Sequence, residues 1–219
     1  MINAVVFDVG ETLIDETREY GTWADWLGVP RHTFSAMFGA VIASGGDYRE
    51  VFQHFAPGFI LDAERVRRTQ AGQSEMFGED DLYPDARPSM EALRTMGVWV
   101  GVAGNQTSRA GEILRKLDLP ADLIATSEDW GASKPHESFF RALIAASPCE
   151  ADRIVYVGDR LDNDLKPAKA AGMRTVYIRR GPWGYIWERH SEMAAVADWR
   201  VVSLAELPPI VAEVNRSER

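Results

Sequence analysis

Short, continuous apolar runs that stop at a polar or glycine–polar pair constrain this chain more than any other feature. Asn3 to Phe7 stops at Asp8, Val98 to Ala103 at Gly104-Asn105, and Ile154 to Val157 at Gly158-Asp159. Thr175 to Ile178 stops at a basic pair, and Leu123 to Ala125 is a shorter version. Length and β-branched content make these runs strands. They are continuous rather than alternating, the pattern of strands covered on both faces, as in a parallel sheet. Between them the period turns helical. Pro88 to Met96 puts Met90, Leu93 and Met96 on one face and meets a stop at Gly97. Ser108 to Leu117 carries Ile113, Leu114 and Leu117 behind Ser108 as N-cap, and Glu137 to Ala146 and Asp164 to Ala171 repeat the scheme. A strand at Arg200–Val202 and a helix at Leu204–Val214 complete the tail. Strand and helix alternating in this order predict an α/β fold, a parallel sheet with right-handed crossovers.

One stretch breaks the rhythm. From Glu16 to Gly78 no strand is readable, and helical segments are expected near Glu16–Leu27, Arg31–Ser44, Tyr48–Phe55 and Asp62–Phe77. Gly28-Val29-Pro30, Gly45-Gly46 and Pro57-Gly58 separate them. An all-helical insertion therefore follows the first strand directly. There is no internal repeat.

A chain of 219 residues is one domain, or one core with a modest insertion. Its formal charge of −9 repels nucleic acid, which argues against a sequence-independent DNA or RNA binder. No window reaches the length of apolar sequence that a membrane helix needs. The single cysteine, Cys149, rules out an internal disulfide and a cysteine-rich zinc site. It follows Ser147-Pro148 with no obvious base beside it, so an inert loop thiol is a better reading than a nucleophile. Met1 leads straight into a strand with no basic segment, so the cytoplasm is the expected compartment. His32, His54, His136 and His190 are scattered without metal-ligand spacing.

In open α/β sheets ligands bind beyond the carboxyl ends of the strands. Here those ends carry Asp8, Gly104-Asn105 and Gly158-Asp159, and Lys134-Pro135 follows the Leu123–Ala125 strand after a short loop. Two or three carboxylates with one lysine suit a hard cation beside a phosphate. Singly, each piece is more often a turn, a cap or a helix start. Together, in this order and all at strand ends, they point to a site.

The chain resembles the haloacid dehalogenase superfamily, in the branch whose helical cap is inserted after the first strand. The first motif is Asp8-Val9-Gly10-Glu11-Thr12, followed by Leu13; the second is Val102-Ala103-Gly104-Asn105. Ser133-Lys134-Pro135 supplies the third, and Gly158-Asp159 with Asp162 and Asp164 the fourth. Ala170-Ala171-Gly172-Met173 and Tyr83-Pro84 match as well. The resemblance implies a Rossmann-like core over residues 1–15 and 79–219 and a helical cap over 16–78.

It also implies roles. Asp8 is the nucleophile, giving an aspartyl-phosphate that water hydrolyses. Asp8, the Gly10 carbonyl, Asp159 and Asp164 bind Mg²⁺, and Lys134 offsets the charge around Asp8 and the phosphate. Thr12, Gly104, Asn105 and Lys134 hold the phosphoryl oxygens. Two positions depart from the pattern. Gly10 stands where related phosphatases carry the aspartate that protonates the leaving oxygen, a contribution of roughly 10²–10⁴-fold. Glu11 is the obvious local substitute, although a solvated side chain pointing elsewhere is the favoured reading. Gly104 stands in place of a hydroxyl residue, and Thr107 or Ser108 could replace the lost hydrogen bond.

Tyr20, Trp23, Trp26 and Leu27 fall at helical spacing, which reads better as packing of the cap on itself than as a ligand cradle. Trp130, Trp183 and Trp187 are placed in loops near strand ends, where an aromatic could stack on a substrate. Arg160, Arg179 and Arg180 read equally as a second anion site or as solvated charge. The expected function is Mg²⁺-dependent hydrolysis of a small phosphorylated metabolite, by a monomer or homodimer with no nucleic-acid or membrane partner. The alternatives are a binding or regulatory protein with little catalysis, which Gly10 and Gly104 favour, and a metal-free C–halogen hydrolase, which Lys134, Asp159 and Asp164 disfavour.

Overall fold

The computed structural model describes residues 1–218. Six strands form one parallel sheet: β1 (Ala4–Phe7), β2 (Trp99–Gly104), β3 (Leu123–Thr126), β4 (Ile154–Gly158), β5 (Arg174–Ile178) and β6 (Trp199–Val201). Their spatial order is β3-β2-β1-β4-β5-β6. The order reverses at β1, so the chain has its topological switch point beside that strand. Phe7 pairs with Val102 on one side and Val157 on the other, which brings Asp8 out of the sheet level with Ala103 and Gly158. The Asp8 N–H still donates to the Val157 carbonyl at 2.9 Å, fixing the backbone where the strand ends.

Every residue of β1 is buried, and β4 likewise, which is why both read as unbroken apolar runs. On one face Phe139, Phe140 and Leu143 of the helix Glu137–Ala146 pack with Ala4, Val6, Ile154, Tyr156 and Met173. The helix Ser108–Lys116 is capped by the Thr107 side chain, which accepts from the Ala110 N–H, so the cap falls one residue before the expected Ser108. The segment expected as one helix from Asp164 is a π-type turn, Leu161–Leu165, running into a short helix, Lys166–Ala170. Residues Gly181–Trp187, read as loop, are helical behind Pro182 at the start.

The chain divides into two compact units, Met1–Asp15 with Leu82–Arg219, and Glu16–Asp81. The second is all-helical: Thr17–Leu27, Arg31–Ala43, Glu50–Phe55 and Leu61–Gln70. The last of these stops well short of Phe77 because Gly72 takes a left-handed φ of 72°. Its interior is aromatic. Trp23 meets Phe52 edge-on at 5.3 Å, Phe52 stacks on Phe59 at 4.6 Å, and Tyr20 lies 4.5 Å from Phe38. The Arg68 guanidinium is buried over the Trp23 ring at 4.0 Å and donates to Thr22 Oγ1 and the Gln73 carbonyl. Tyr20 and Trp23 thus pack inside their own unit.

Candidate active site

Asp8, Lys134, Asp159 and Asp164 converge at the carboxyl end of β1 and β4, and all four are buried. Lys134 Nζ donates to Asp8 Oδ1 and to Asp164 Oδ1, each at 2.6 Å. It also lies 5.5 Å from the centre of the Tyr156 ring. Burial works against the lysine charge, but Asp164 and Asp8 more than offset it and hold the Lys134 pKa well above its ordinary value. One ammonium therefore bridges two carboxylates that come from distant parts of the chain.

Asp164 reaches this position because Gly158 has no side chain. A β-carbon there would stand 2.4 Å from Asp164 Oδ2, which instead accepts the Arg160 N–H at 3.0 Å. Ligand oxygens of Asp8, Asp159 and Asp164 lie within 4.8 Å of one another. Burial, followed by the charges of Asp164, Asp8 and Glu11, pushes the Asp159 carboxyl well above the usual range. Asp164 is raised to about 6, chiefly by burial and despite Lys134. Asp159 Oδ2 is buried with no hydrogen-bond partner. Three buried carboxylates against one ammonium, with one oxygen unpartnered, match the donor set of a hard divalent cation.

The other expected contacts are placed differently. Both ends of the Asn105 amide are taken by the main chain of Lys134: Nδ2 donates to its carbonyl at 2.9 Å, and Oδ1 accepts its N–H at 2.7 Å. Asn105 thus holds the lysine's backbone, which uses one of its two amide hydrogens. Of the hydroxyls proposed to replace the one missing at Gly104, Ser108 is engaged as a donor and Thr107 as an acceptor. Ser108 Oγ donates to Glu128 at 2.6 Å, and Thr107 Oγ1 caps its helix. Thr12 is fully buried, with Oγ1 lacking a partner and its carbonyl accepting from Arg180 Nη1 at 2.9 Å.

Glu11 is buried, not solvated. It sits in the left-handed region at φ 52°, and Oε2 accepts the Tyr83 hydroxyl at 2.5 Å. Its side chain fills the space over Gly181, where a β-carbon would be 2.4 Å from Glu11 Cγ. The basic pair after β5 is spent within the fold as well. Arg180 pairs with Asp85 and covers the Tyr83 ring at 4.2 Å, while Arg179 pairs with Glu188. Arg160 stacks on buried Trp183 at 4.5 Å and pairs with Asp162. Trp130 packs edge-on against Phe139 at 5.1 Å. Tyr83, Asp85 and Gly181 frame the Asp8 loop without a local sequence signal. The φ of Glu11 and its partners 72 residues or more away leave no local signature.

A carboxylate on the central strand, a buried lysine and two more carboxylates at the switch point define an α/β protein built around a buried anionic centre. The chain belongs to the haloacid dehalogenase-like hydrolases, whose family model matches residues 2–172. The glyceraldehyde 3-phosphate phosphatase of Methanocaldococcus jannaschii is 35% identical over 137 residues, 61% of this chain and 58% of that protein. The match thus spans little more than half of that relative. The magnesium-bound HAD-hydrolase YfnB of Bacillus subtilis superposes with a TM-score of 0.71 at 19% identity, over 95% of this chain and 98% of its own. The L-2-haloacid dehalogenase of Xanthobacter autotrophicus gives 0.66 at 16% identity, over 97% and 99%. At these identities the structural likeness shows the fold alone. Among the described residues no helix is long and apolar enough to cross a membrane.

Proposed function

We propose that this protein is a Mg²⁺-dependent phosphatase of a small phosphorylated metabolite, working through a phosphoryl group carried on Asp8. The observation that carries the reading is the Asp8–Asp159–Asp164 cluster with Lys134 bound to two of its members. Asp8, Asp159 and Asp164, with the Gly10 carbonyl, would hold the ion. Bound there, Mg²⁺ would offset the charge of carboxylates and phosphate and draw electron density from the phosphoryl oxygens. Lys134 keeps its proton and holds Asp8 Oδ1 in one orientation, which favours in-line attack on phosphorus. Asn105 fixes the Lys134 backbone. The loop N–H groups after Gly104 are the donors proposed for the phosphoryl oxygens.

The core is proposed to span residues 1–15 and 79–219, and the helical segment 16–78 to act as a cap that selects the substrate and excludes water. The proposed setting is the cytoplasm. A metal-free dehalogenase would leave the buried Asp159 Oδ2 without a partner, which is costly. The phosphatase names of curated relatives support the same choice.

The test is hydrolysis of 4-nitrophenyl phosphate with Mg²⁺, with chelator, and by Asp8→Asn. Turnover that needs both Mg²⁺ and Asp8 is expected. Equal rates in wild type and Asp8→Asn would overturn the reading.

A further inference from the structure

Resting on the phosphatase reading, the surroundings of Asp8 bear on which phosphates this site can split. Attack by an Asp8 oxygen on phosphorus forms one O–P bond and breaks the bond to the leaving oxygen, which departs with the electron pair. An alkoxide needs a proton at that moment, whereas a carboxylate or phenolate does not. The question is whether anything beside Asp8 can give one.

Position 10, the nearest in the loop, has no side chain. Glu11, the carboxylate next to it, is turned into the fold: its Oε2 is held by Tyr83 and its stem lies on Gly181. The Tyr83 hydroxyl is spent on that carboxylate, under the Arg180 guanidinium. Lys134 Nζ is shared between Asp8 and Asp164. Tyr156 donates its hydroxyl to the Ala103 carbonyl at 2.8 Å. Asn105, Thr107 and Ser108 are bound to Lys134, Ala110 and Glu128. Thr12 Oγ1 has no partner but is sealed from solvent and is a very weak acid. Each polar side chain in this set is committed elsewhere, unsuited to proton transfer, or reserved for the cation.

We infer that the substrate is an acyl phosphate, or another phosphate whose leaving oxygen departs as a stable anion without taking up a proton. The first step turns the Asp8 carboxylate and acyl phosphate into aspartyl-phosphate and free carboxylate, with no proton moved. In the second, water attacks phosphorus, the bond to Asp8 breaks, Asp8 regains its carboxylate, and both protons of the water leave on dihydrogen phosphate. That step also expels a carboxylate, so it obeys the same rule.

The experiment is kcat/KM of the wild-type protein with Mg²⁺ for acetyl phosphate, 4-nitrophenyl phosphate, phenyl phosphate and glycerol 1-phosphate. A steep fall is expected, with the alkyl ester roughly 10²–10⁴-fold below the activated substrates. Gly10→Asp narrows that gap. An alkyl ester within about tenfold of 4-nitrophenyl phosphate would overturn the inference alone, since general acid catalysis supplies more than that. It would show a proton donor outside this set, with exposed His136 the first to replace. Absence of Mg²⁺- and Asp8-dependent turnover even with acetyl phosphate would overturn the phosphatase reading, and this inference with it.

Discussion

A β-carbon on residue 104 would stand 2.6 Å from Asp8 Oδ1, so β2 ends in glycine where the Asp8 carboxylate needs the space. The same oxygen is the one that Lys134 holds. The missing hydroxyl at this position is therefore linked to the pose of Asp8. It is more than a lost phosphate contact.

Gly104→Ser should consequently lower activity instead of restoring a hydrogen bond. Displacing a reacting group by about 1 Å costs on the order of 10²-fold, so kcat/KM on 4-nitrophenyl phosphate should fall by about that factor. A rise in kcat/KM would show that Asp8 yields to the added side chain at no cost.

Lys134→Met leaves Asp8 and Asp164 buried without their cation. In metal-free protein, denaturant unfolding should register a loss of about 3–5 kcal/mol, the cost of breaking a buried pair. Adding Asp164→Asn should recover part of that loss, because one uncompensated charge goes with it. Additive losses in the double variant would contradict the bridging role of the lysine.

Much of this arrangement is legible in the sequence, for a physical reason. Strands buried on both faces show as continuous apolar runs, and their ends mark where Asp8, Asp159 and the Lys134 loop emerge. The choice of partner by each polar group is not legible. Glu11 reads as solvated in the sequence and is buried, and nothing local ties Asn105 to the Lys134 main chain. The partners of both come from distant parts of the chain, and the local sequence does not mark the pairing. The helix at Gly181–Trp187 was hidden by its glycines and proline, which read as a loop until Pro182 is seen at the first turn.

Tyr83→Phe removes the hydroxyl that donates to the buried Glu11 carboxylate. A hydrogen bond to a charged group contributes about 1.5–3 kcal/mol, and the unfolding free energy should drop by that amount. In a Glu11→Gln background the same change should cost less. Equal costs in both backgrounds would separate Tyr83 from Glu11.

The acid cluster also sets a pH dependence. Burial raises Asp159, which faces Asp164, Asp8, Glu11 and Arg160, and it raises Asp164 to about 6. Unfolded, both titrate near about 4. Between those values the folded state binds more protons at Asp164, so this group favours folding at low pH and loses that contribution as pH rises through about 6, and Asp159 acts in the same direction. Lys134 stays charged across this range, since its own pKa is raised. Mg²⁺ needs the ionised carboxylates, so its stabilisation should be larger at about pH 7.5 than at about pH 5. Thermal melts at both pH values, with Mg²⁺ and with chelator, check this. A Mg²⁺ shift that is equal at the two pH values, or larger at the lower one, would contradict it.

The most direct measurement is an acid quench of the protein turning over acetyl phosphate with Mg²⁺, followed by mass spectrometry of its peptides. The account predicts a phosphoryl group on the peptide carrying Asp8, absent in Asp8→Asn and absent with chelator. Mg²⁺-dependent turnover with the phosphoryl group on another residue would contradict it.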